Sequence, residues 1–401
     1  MMFWRTYAVL IFSILLSISL LSAQKQEYLF DTKIFTKEDG LPSLLNTSVF
    51  QDSRGFIWIG TGSGLSRFDG YNFQLFSPEA YGMTGKKAIS RISEDHKGNL
   101  WLFYCRGFLP SPSNWDLIAI DIFDPKAEKV IPFDTYFQET FPFAIEDAFL
   151  PQITDDLHRN WIATKKGELF LYNQGFKKIF EKKGASFQYL TIDEHHHIWL
   201  VADNTQLIKI DTLGNILESI QTPKHIHGIW TGEGDRLWVA LVNNPNTGES
   251  SIGLWEKKQD QFVPFYLKGK NHIISGLPLV ETLNIYSFCH RSKKGYWYIG
   301  LNQQIHLFGP DGEWMYNFQE VVGDDLNVNT YGYYENKDNV WFCGDIMLMK
   351  TFLTENHFNL IHQQEEGVSD SGGLWKIPEE IFILSINSSF STILYIRQMS
   401  E

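Results

Sequence analysis

Cysteine is scarce in this sequence, with three residues among 401. An odd number leaves at least one thiol outside any disulfide, which excludes a complete framework of bridges. Cys105, Cys289 and Cys343 all stand among apolar residues of predicted strands. This favours buried thiols, and a bridge between Cys289 and Cys343 is the alternative.

Long basic runs are absent as well, since no more than two Lys or Arg residues follow one another and the net charge is −13. A nucleic-acid-binding surface is therefore not expected. The C-terminal region has no stretch of 18 apolar residues, and the glycine-rich segment Gly60–Gly64 is followed by neither a lysine nor a helix. We accordingly predict neither a membrane helix there nor a phosphate-binding loop, and no cofactor.

The N-terminus differs from the rest of the chain. Arg5 precedes an apolar run from Tyr7 to Leu21, which ends in Leu21-Ser22-Ala23. This pattern is typical of a secretory signal peptide over residues 1–23, and it predicts a periplasmic protein. An uncleaved anchor is the alternative, although the run is short for a membrane span.

A polar turn, one or two apolar residues and then a tryptophan recur seven times, at spacings of roughly 40 to 60 residues. The tryptophans are Trp58, Trp101, Trp161, Trp199, Trp238, Trp297 and Trp341. A period near 40 with one turn and one tryptophan strand in each unit is typical of a β-propeller. We predict an all-β fold of seven four-stranded blades over residues 24–363, with these indoles packed between blades. Residues 364–401 are predicted to be a degenerate tail or the start of a truncated second propeller.

Blade 1 can be divided into strands directly. Thr47–Gln51, Phe56–Thr61, Leu65–Phe68 and Asn72–Phe76 are separated by turns containing Gly55, Gly62-Ser63-Gly64 and Asp69-Gly70. Closure of the ring has two solutions with seven blades, and an eighth, degenerate unit near Asp370-Ser371-Gly372-Gly373-Leu374-Trp375 is the alternative to them. Tyr28–Phe35 is placed to be the outer strand of the last blade, but that blade has its own candidates, Met347–Thr351 and Phe358–Gln363.

The opening of blade 1 resembles a known family. The segments are Asp39-Gly40-Leu41-Pro42-Ser43, then Val49 to Thr61, then Gly64-Leu65-Ser66-Arg67-Phe68-Asp69-Gly70, and Gly276-Leu277-Pro278 repeats the opening before blade 6. These segments are similar to the two-component regulator propeller family, the exported sensor region of hybrid two-component receptors. The resemblance implies a ligand-sensing propeller, an oligosaccharide ligand and a membrane-bound signalling partner.

Other parts of the receptor plan of that family are missing from this sequence, namely a second complete propeller and a kinase module. The prediction is therefore a periplasmic sensing or binding propeller without its own kinase output, either a truncated receptor or a stand-alone protein, and not an enzyme. The alternative is a polysaccharide-active hydrolase or lyase on the same fold, because a fold does not decide function.

Two predicted loops are unusually long, and both join the second strand of a blade to its third. They carry Arg106 and Trp115 in blade 2, and Asn243, Asn244 and Asn246 in blade 5. An aromatic face with planar amide or guanidinium donors suits a sugar, and binding residues are often placed on loops of a rigid scaffold. We predict these five as ligand-binding residues, with variation in loop length that has no role as the alternative.

Two other patterns are given a structural interpretation. His195-His196-His197 lies in a turn, where consecutive side chains alternate in direction, so no metal site is predicted. Asp52 and Asp95 stand six residues before Trp58 and Trp101, whereas the Asp-box of sialidase-type propellers has a spacing of five. No nucleophile–base pairing was found, and no catalytic residue is proposed.

Overall fold

The computed structural model describes residues 28–355 and two short stretches, 375–377 and 380–382. Within 28–355 it leaves out residues 86–87, 106–116, 138–140, 149–152, 223, 235, 243–251, 260, 269–288, 302–303, 319–329, 337–338 and 346–347. The predicted signal peptide and most of the predicted tail lie outside the described residues, so these domain boundaries stay predictions. The chain divides into a unit Leu29–Thr354 and a second unit that contains an antiparallel strand pair, Trp375–Ile377 with Glu380–Phe382.

The unit Leu29–Thr354 contains seven antiparallel sheets of four strands, which form the blades of a ring. The predicted seven-bladed β-propeller is confirmed. From inner to outer strand, blade 1 consists of β2 (Asn46–Gln51), β3 (Ile57–Thr61), β4 (Gly64–Phe68) and β5 (Phe73–Phe76). Blade 2 consists of β6 (Ile89–Glu94), β7 (Leu100–Cys105), β8 (Leu117–Asp124) and β9 (Lys129–Ile131). Blade 3 consists of β10 (Ile153–Thr154), β11 (Asn160–Ala163), β12 (Glu168–Tyr172) and β13 (Phe176–Glu181). Blade 4 consists of β14 (Phe187–Ile192), β15 (Ile198–Ala202), β16 (Gln206–Ile210) and β17 (Ile216–Gln221).

The remaining three blades have the same order. Blade 5 consists of β18 (His225–Gly232), β19 (Arg236–Val242), β20 (Ile252–Lys258) and β21 (Gln261–Pro264). Blade 6 consists of β22 (Cys289–Arg291), β23 (Trp297–Leu301), β24 (Gln304–Phe308) and β25 (Trp314–Asn317). Blade 7 is β26 (Thr330–Asn336), β27 (Asn339–Gly344), β28 (Leu348–Glu355) and, as its outer strand, β1 (Tyr28–Phe35). Helical segments in the described chain are short: α1 (Pro78–Tyr81), α2 (Phe133–Phe137) and a 3-10 turn (Ile145–Asp147). None of these helices is long and apolar enough to cross a membrane.

The ring closes with strands from both ends of the propeller. Strand β1 pairs with β28, so the N-terminal segment supplies the outer strand of blade 7. The hydroxyl groups of Thr32 and Thr351 hydrogen-bond across this pair at 3.1 Å. Of the two closures that the sequence allowed, the first is therefore the observed one. Met347–Thr351 corresponds to part of the third strand, and Phe358–Gln363 lies outside the described residues.

Tryptophans of the second strands fill the gaps between successive blades. Trp58 is fully buried and lies in one apolar cluster with Ile92 and Leu102 of blade 2. The indoles that face the following blade in the same way are Trp101, Trp161, Trp199, Trp238 and Trp341. Their burial, between 0% and 4% exposed, places them in the inter-blade core.

Trp297 is buried too, but it stands one residue out of phase with the others. The turn before it begins at Ser292, in the place that Asp52 has in blade 1, so the residue equivalent to Trp58 is Tyr298. Neighbouring residues of a strand point to opposite faces of the sheet. In blade 6 the tryptophan therefore points to the opposite face of the sheet from the tryptophans of the other blades.

The phase change turns the indole of Trp297 towards the preceding blade. Its ring meets the ring of Trp238 edge-on, with 5.7 Å between centroids. Tyr298 takes the place facing blade 7, where it packs with Val340 and Phe342. Blades 5 and 6 are thus joined by two indoles, and blades 6 and 7 by a phenol ring.

The polar turns before the second strands of blades 1 to 3 are built on a buried aspartate. Asp52 accepts the amides of Arg54 and Phe56 through Oδ1 at 3.0 and 2.9 Å, and the indole N–H of Trp58 through Oδ2 at 2.9 Å. Asp95 and Asp155 make the same three contacts in blades 2 and 3. We call this arrangement the Asp turn. It explains the six-residue spacing noted in the sequence, because one carboxylate bonds the turn and the indole together.

Blades 5 and 6 have no aspartate at this position, where Gly232 and Ser292 stand instead. The indole N–H groups of Trp238 and Trp297 are buried without a hydrogen-bond partner in the described part of the chain. The guanidinium of Arg291 lies 3.8 Å from the ring centroid of Trp238. The indole of Trp238 is thus held by a cation over its face, while its N–H stays without an acceptor in the described residues.

In blades 2 and 7, a glutamate at the end of the inner strand bonds the blade to the turn of the blade before it. Glu94 of blade 2 accepts the amide and the hydroxyl of Ser53 at 2.7 and 2.8 Å. Glu335 of blade 7 accepts the amide of Lys293 in blade 6 at 3.0 and 2.9 Å. These charge-assisted bonds link neighbouring blades at their turns, in addition to the apolar clusters.

One buried histidine gives a prediction about pH. His306 in β24 is 2% exposed, and burial lowers its pKa below the ordinary 6.5. The unfolded chain therefore takes up a proton first as the pH falls, so this contribution to stability is present above about pH 6.5 and is lost below it. Urea denaturation at pH 7.5 and pH 5.0 should show a smaller loss of stability for His306→Gln than for the wild type. Equal losses in the two proteins would contradict this assignment.

The three cysteines lie in strands, as expected. Cys105 and Cys343 are buried and Cys289 is partly buried, and none of the three forms a disulfide. Burial raises the pKa of the Cys289 thiol to about 12. The buried-thiol interpretation is the observed one, and the alternative bridge from Cys289 to Cys343 is not formed.

Candidate functional site

The two ends of the ring differ in what they carry. In blade 1, β2 begins at Asn46 beside Thr61 and runs to Gln51, where the Asp turn starts. Because every blade has the same strand order, all inner strands begin at one end of the ring. We call this end the loop rim: it carries the connections from second to third strands and the crossings between blades. The opposite end, the turn rim, carries the Asp turns.

Connections between second and third strands differ greatly in length. They are residues 62–63 in blade 1 and 203–205 in blade 4, but 106–116 in blade 2 and 243–251 in blade 5. Since the flanking strand ends are described, both long loops leave from the loop rim, as expected from the sequence. The predicted ligand residues Arg106, Trp115, Asn243, Asn244 and Asn246 all lie outside the described residues, so their role stays a prediction.

Inner strands carry a bulge close to the loop rim. The pairing of β2 with β3 skips Thr47, and the residues skipped in β6, β14, β18 and β26 are Ser90, Gln188, His227 and Tyr331. A bulge re-aims the strand and removes one residue from the ladder. The Thr47 hydroxyl hydrogen-bonds the carbonyls of Gly60 and Ile89 at 3.1 and 2.8 Å, which links blades 1 and 2 at this rim.

A cleft of about 520 Å³ opens beside the start of β8, where the loop 106–116 rejoins blade 2. Its walls are mostly apolar and include Ile118 and Phe133. Asp121 lies in the lining, and its carboxylate accepts the amide of Thr84 and the hydroxyl of Tyr104, each at 2.9 Å. Burial, and then the charge of Asp121, raise the pKa of Tyr104. This carboxylate is engaged in holding the crossing from blade 1 onto blade 2.

His290 and Tyr333, on the inner strands of blades 6 and 7, were missed by sequence reasoning. Their rings stack with 3.5 Å between centroids, and Nε2 of His290 lies 3.5 Å from Oε2 of Glu335. Burial lowers the pKa of His290 although Glu335 opposes this, so the imidazole is neutral at pH 7. No spacing in the sequence could reveal this group, because it forms only when two blades pack side by side.

The histidine-rich turn of blade 4 lies on the turn rim. His195 and His197 stack with 5.9 Å between ring centroids, whereas His196 lies within 3.5 Å of Asp156 in blade 3. Consecutive side chains do alternate, as the sequence predicted, so the three histidines do not converge. Two of them nevertheless come together with Asp193. Burial raises the pKa of Asp193, but bonds from the His197 amide and from Lys209 outweigh it, so that the pKa is lowered overall.

Comparison with known proteins identifies one repeat of the chain. Residues 40–63 match the two-component regulator propeller family. A histidine kinase P4 of Formosa agariphila is 40% identical over 70 residues, which make up 18% of this chain and 5% of that protein. The chain therefore corresponds to a small part of that kinase by length.

Solved structures share the fold at low sequence identity. Virginiamycin B lyase from Staphylococcus aureus is 12% identical, with a TM-score of 0.54 and coverage of 81% of this chain and 99% of the lyase. The extracellular domain of a hybrid two-component system from B. thetaiotaomicron is 15% identical, with a TM-score of 0.50 and coverage of 84% of this chain and 44% of that domain. At such identities these likenesses speak for the fold and not for a shared ligand. The resemblance found in the sequence is confirmed: this chain is a seven-bladed β-propeller that carries a two-component regulator propeller repeat.

Proposed function

We propose that this protein is a periplasmic sensing propeller that binds an oligosaccharide at its loop rim and passes occupancy to a membrane-bound signalling partner. The family of the repeat at residues 40–63 supports the sensing role. The predicted signal peptide supports export. In this proposal Arg106, Trp115, Asn243, Asn244 and Asn246 contact the sugar.

The observation that carries the proposal is the position of the two long connections. Both begin and end on the loop rim, at Cys105 and Leu117 in blade 2 and at Val242 and Ile252 in blade 5. Loops on a rigid β-scaffold can vary in sequence without disturbing the core, which suits them to recognition. The apolar cleft at the start of β8 adds a concave surface next to one of them.

The test is isothermal titration calorimetry after a glycan screen of the mature chain has supplied a ligand. The double variant Trp115→Ala with Asn244→Ala should weaken binding by about tenfold or more, since a stacked indole and an amide are lost together. Tyr71→Ala is the matched control, because Tyr71 is an aromatic residue 88% exposed at the turn rim. Unchanged affinity in the double variant would reject the loop-rim site.

The alternative function is that of a polysaccharide-active hydrolase or lyase. Virginiamycin B lyase has a similar fold, so the fold is compatible with an enzyme as well as with a sensor. The same glycan hits decide between the two. A sensor leaves the bound sugar intact over prolonged incubation, whereas an enzyme releases new reducing ends or unsaturated products. Chromatography of the ligand before and after incubation therefore separates the two functions.

A further inference from the structure

The turn of blade 4 brings three metal-ligating side chains together on the turn rim, away from the proposed sugar site. Asp193, His195 and His197 each present a donor atom, and these atoms lie within 4.8 Å of one another. Nδ1 of His197 lies 3.2 Å from Oδ2 of Asp193. Asp193 is buried, whereas both imidazoles reach solvent at the mouth of the turn.

Backbone geometry explains why these residues converge. Oδ1 of Asp193 accepts the amides of His195 and His197 at 3.0 and 2.9 Å, which curls the turn around the carboxylate. His196, between them, has a φ of +61° and occupies the left-handed position that Gly55 fills in blade 1. Residues on either side of this position therefore lie on one side of the turn, and their rings stack.

The second carboxylate oxygen already attracts cations in several blades. Oδ2 of Asp52 pairs with Arg54 at 2.9 Å, and Oδ2 of Asp155 pairs with Arg159 at 2.7 Å. In blade 4 the cation is the ammonium group of Lys209, 3.0 Å from Oδ2 of Asp193. Blade 4 differs in that the imidazole of His197 lies 3.2 Å from this oxygen and that of His195 is close by, where blades 1 and 3 have a guanidinium.

We propose that Asp193, His195 and His197 bind a late first-row divalent cation of the Zn²⁺ type. Two imidazole nitrogens and one carboxylate oxygen form a donor set that such cations prefer over Ca²⁺ or Mg²⁺, which favour all-oxygen sites. Binding would displace the Lys209 ammonium from Oδ2, because both cations compete for the same oxygen. The site is independent of the sugar-sensing proposal, since it lies at the other end of the ring.

The cation would be bound by a turn of blade 4 that itself contacts both neighbouring blades. His196, next to the ligands, lies 3.5 Å from Asp156 of blade 3. Glu194 accepts the amide of Gly234 in blade 5 at 2.8 Å. A cation that rigidifies this turn would therefore stabilise the contacts of blade 4 with both neighbours.

Calorimetric titration of the full chain with Zn²⁺ tests the proposal. We expect one site per chain in the wild type, and affinity weakened by about tenfold or more in His195→Ala and in His197→Ala. His196→Gly is the matched control, because its φ suits glycine and its side chain points away from the site; its affinity should stay within about twofold of the wild type. Lys209→Met should bind at least as tightly as the wild type.

Two results would overturn the proposal. One is the absence of a Zn²⁺ site in the wild-type chain. The other is an equal effect of His195→Ala, His197→Ala and His196→Gly, which would indicate general binding by surface histidines. Far-UV circular dichroism of each variant shows whether the propeller is intact, and a Cu²⁺ electron paramagnetic resonance spectrum with two coordinated nitrogens in the wild type and one in His195→Ala gives an independent readout.

Discussion

A variant that lacks residues 28–36 should not form a cooperative propeller. These residues contain β1, the outer strand of blade 7, and their removal leaves β28, still paired with β27, as the exposed edge of a three-stranded blade. Exposed edge strands favour aggregation. We expect a loss of the cooperative thermal transition and aggregated material in size-exclusion chromatography.

The expected effect is large because β1 also contacts blade 1. Phe35 is 3% exposed, stacks on Trp341 of blade 7 at 5.7 Å, and meets Phe68 of blade 1 edge-on at 5.0 Å. Loss of one such buried aromatic side chain costs about 3–5 kcal/mol. Whole domains are typically stable by only about 5–15 kcal/mol. Removing the strand, its hydrogen bonds to β28 and Phe35 together should therefore remove most of the free energy of unfolding.

The single substitution Phe35→Ala separates packing from strand pairing, and it should lower stability by about 3–5 kcal/mol while leaving a cooperative transition. Deletion of residues 364–401, the predicted tail, is the control at the other end of the chain and should leave the melting temperature unchanged. A propeller that melts normally without residues 28–36 would show that β1 is dispensable for closure. A strong effect of the tail deletion would contradict the predicted domain boundary.

Asp52→Ala should destabilise the propeller by about 3–5 kcal/mol in urea denaturation. The side chain of Asp52 is fully buried, and its carboxylate accepts the indole N–H of Trp58 and the amides of Arg54 and Phe56. The substitution leaves these donors and the guanidinium of Arg54 without their acceptor. Buried donors that lose their partner cost far more than the net value of the bonds themselves.

Asp69→Ala is the matched control for this prediction. Asp69 also accepts two turn amides, those of Tyr71 and Asn72, but it lies exposed in the hairpin between β4 and β5. Water can replace its bonds, so its loss should cost much less. A double-mutant cycle of Asp52→Ala with Trp58→Phe should be non-additive, because both changes remove the same bond. Equal effects of Asp52→Ala and Asp69→Ala, or full additivity in the cycle, would contradict the role given to the Asp turn.

Strand boundaries in blade 1 were predictable because its local signals agree. The predicted Thr47–Gln51 and Phe56–Thr61 differ by one residue each from the observed Asn46–Gln51 and Ile57–Thr61. Gly55 has a φ of +94° and Gly70 of +104°, so the turn glycines stand where the backbone requires them. In blades 3 and 4, His158 and His196 hold this left-handed position instead of a glycine.

Candidate sites were predictable only in part. Loop lengths in the sequence were sufficient to place both long connections on one rim, because strand alternation fixes where each loop emerges. The convergence of His195 and His197 on Asp193 was missed, since it depends on the left-handed φ of the residue between them. The pair His290 and Tyr333 was missed because nothing in a single strand indicates what the next blade brings to it.

Although the exact blade count and the ring closure stayed open, the sequence alone predicted seven four-stranded blades, the strands of blade 1 and the burial of the seven tryptophans. These follow from local turn chemistry and from a hydrophobic pattern repeated in every unit. Tertiary structure decided how the ring closes, since β1 and β28 are far apart in the chain and meet only when seven blades complete the circle. It also shows which face Trp297 takes, although the one-residue shift is already present in the sequence, where Gly295 precedes Trp297 by two residues and Gly55 precedes Trp58 by three.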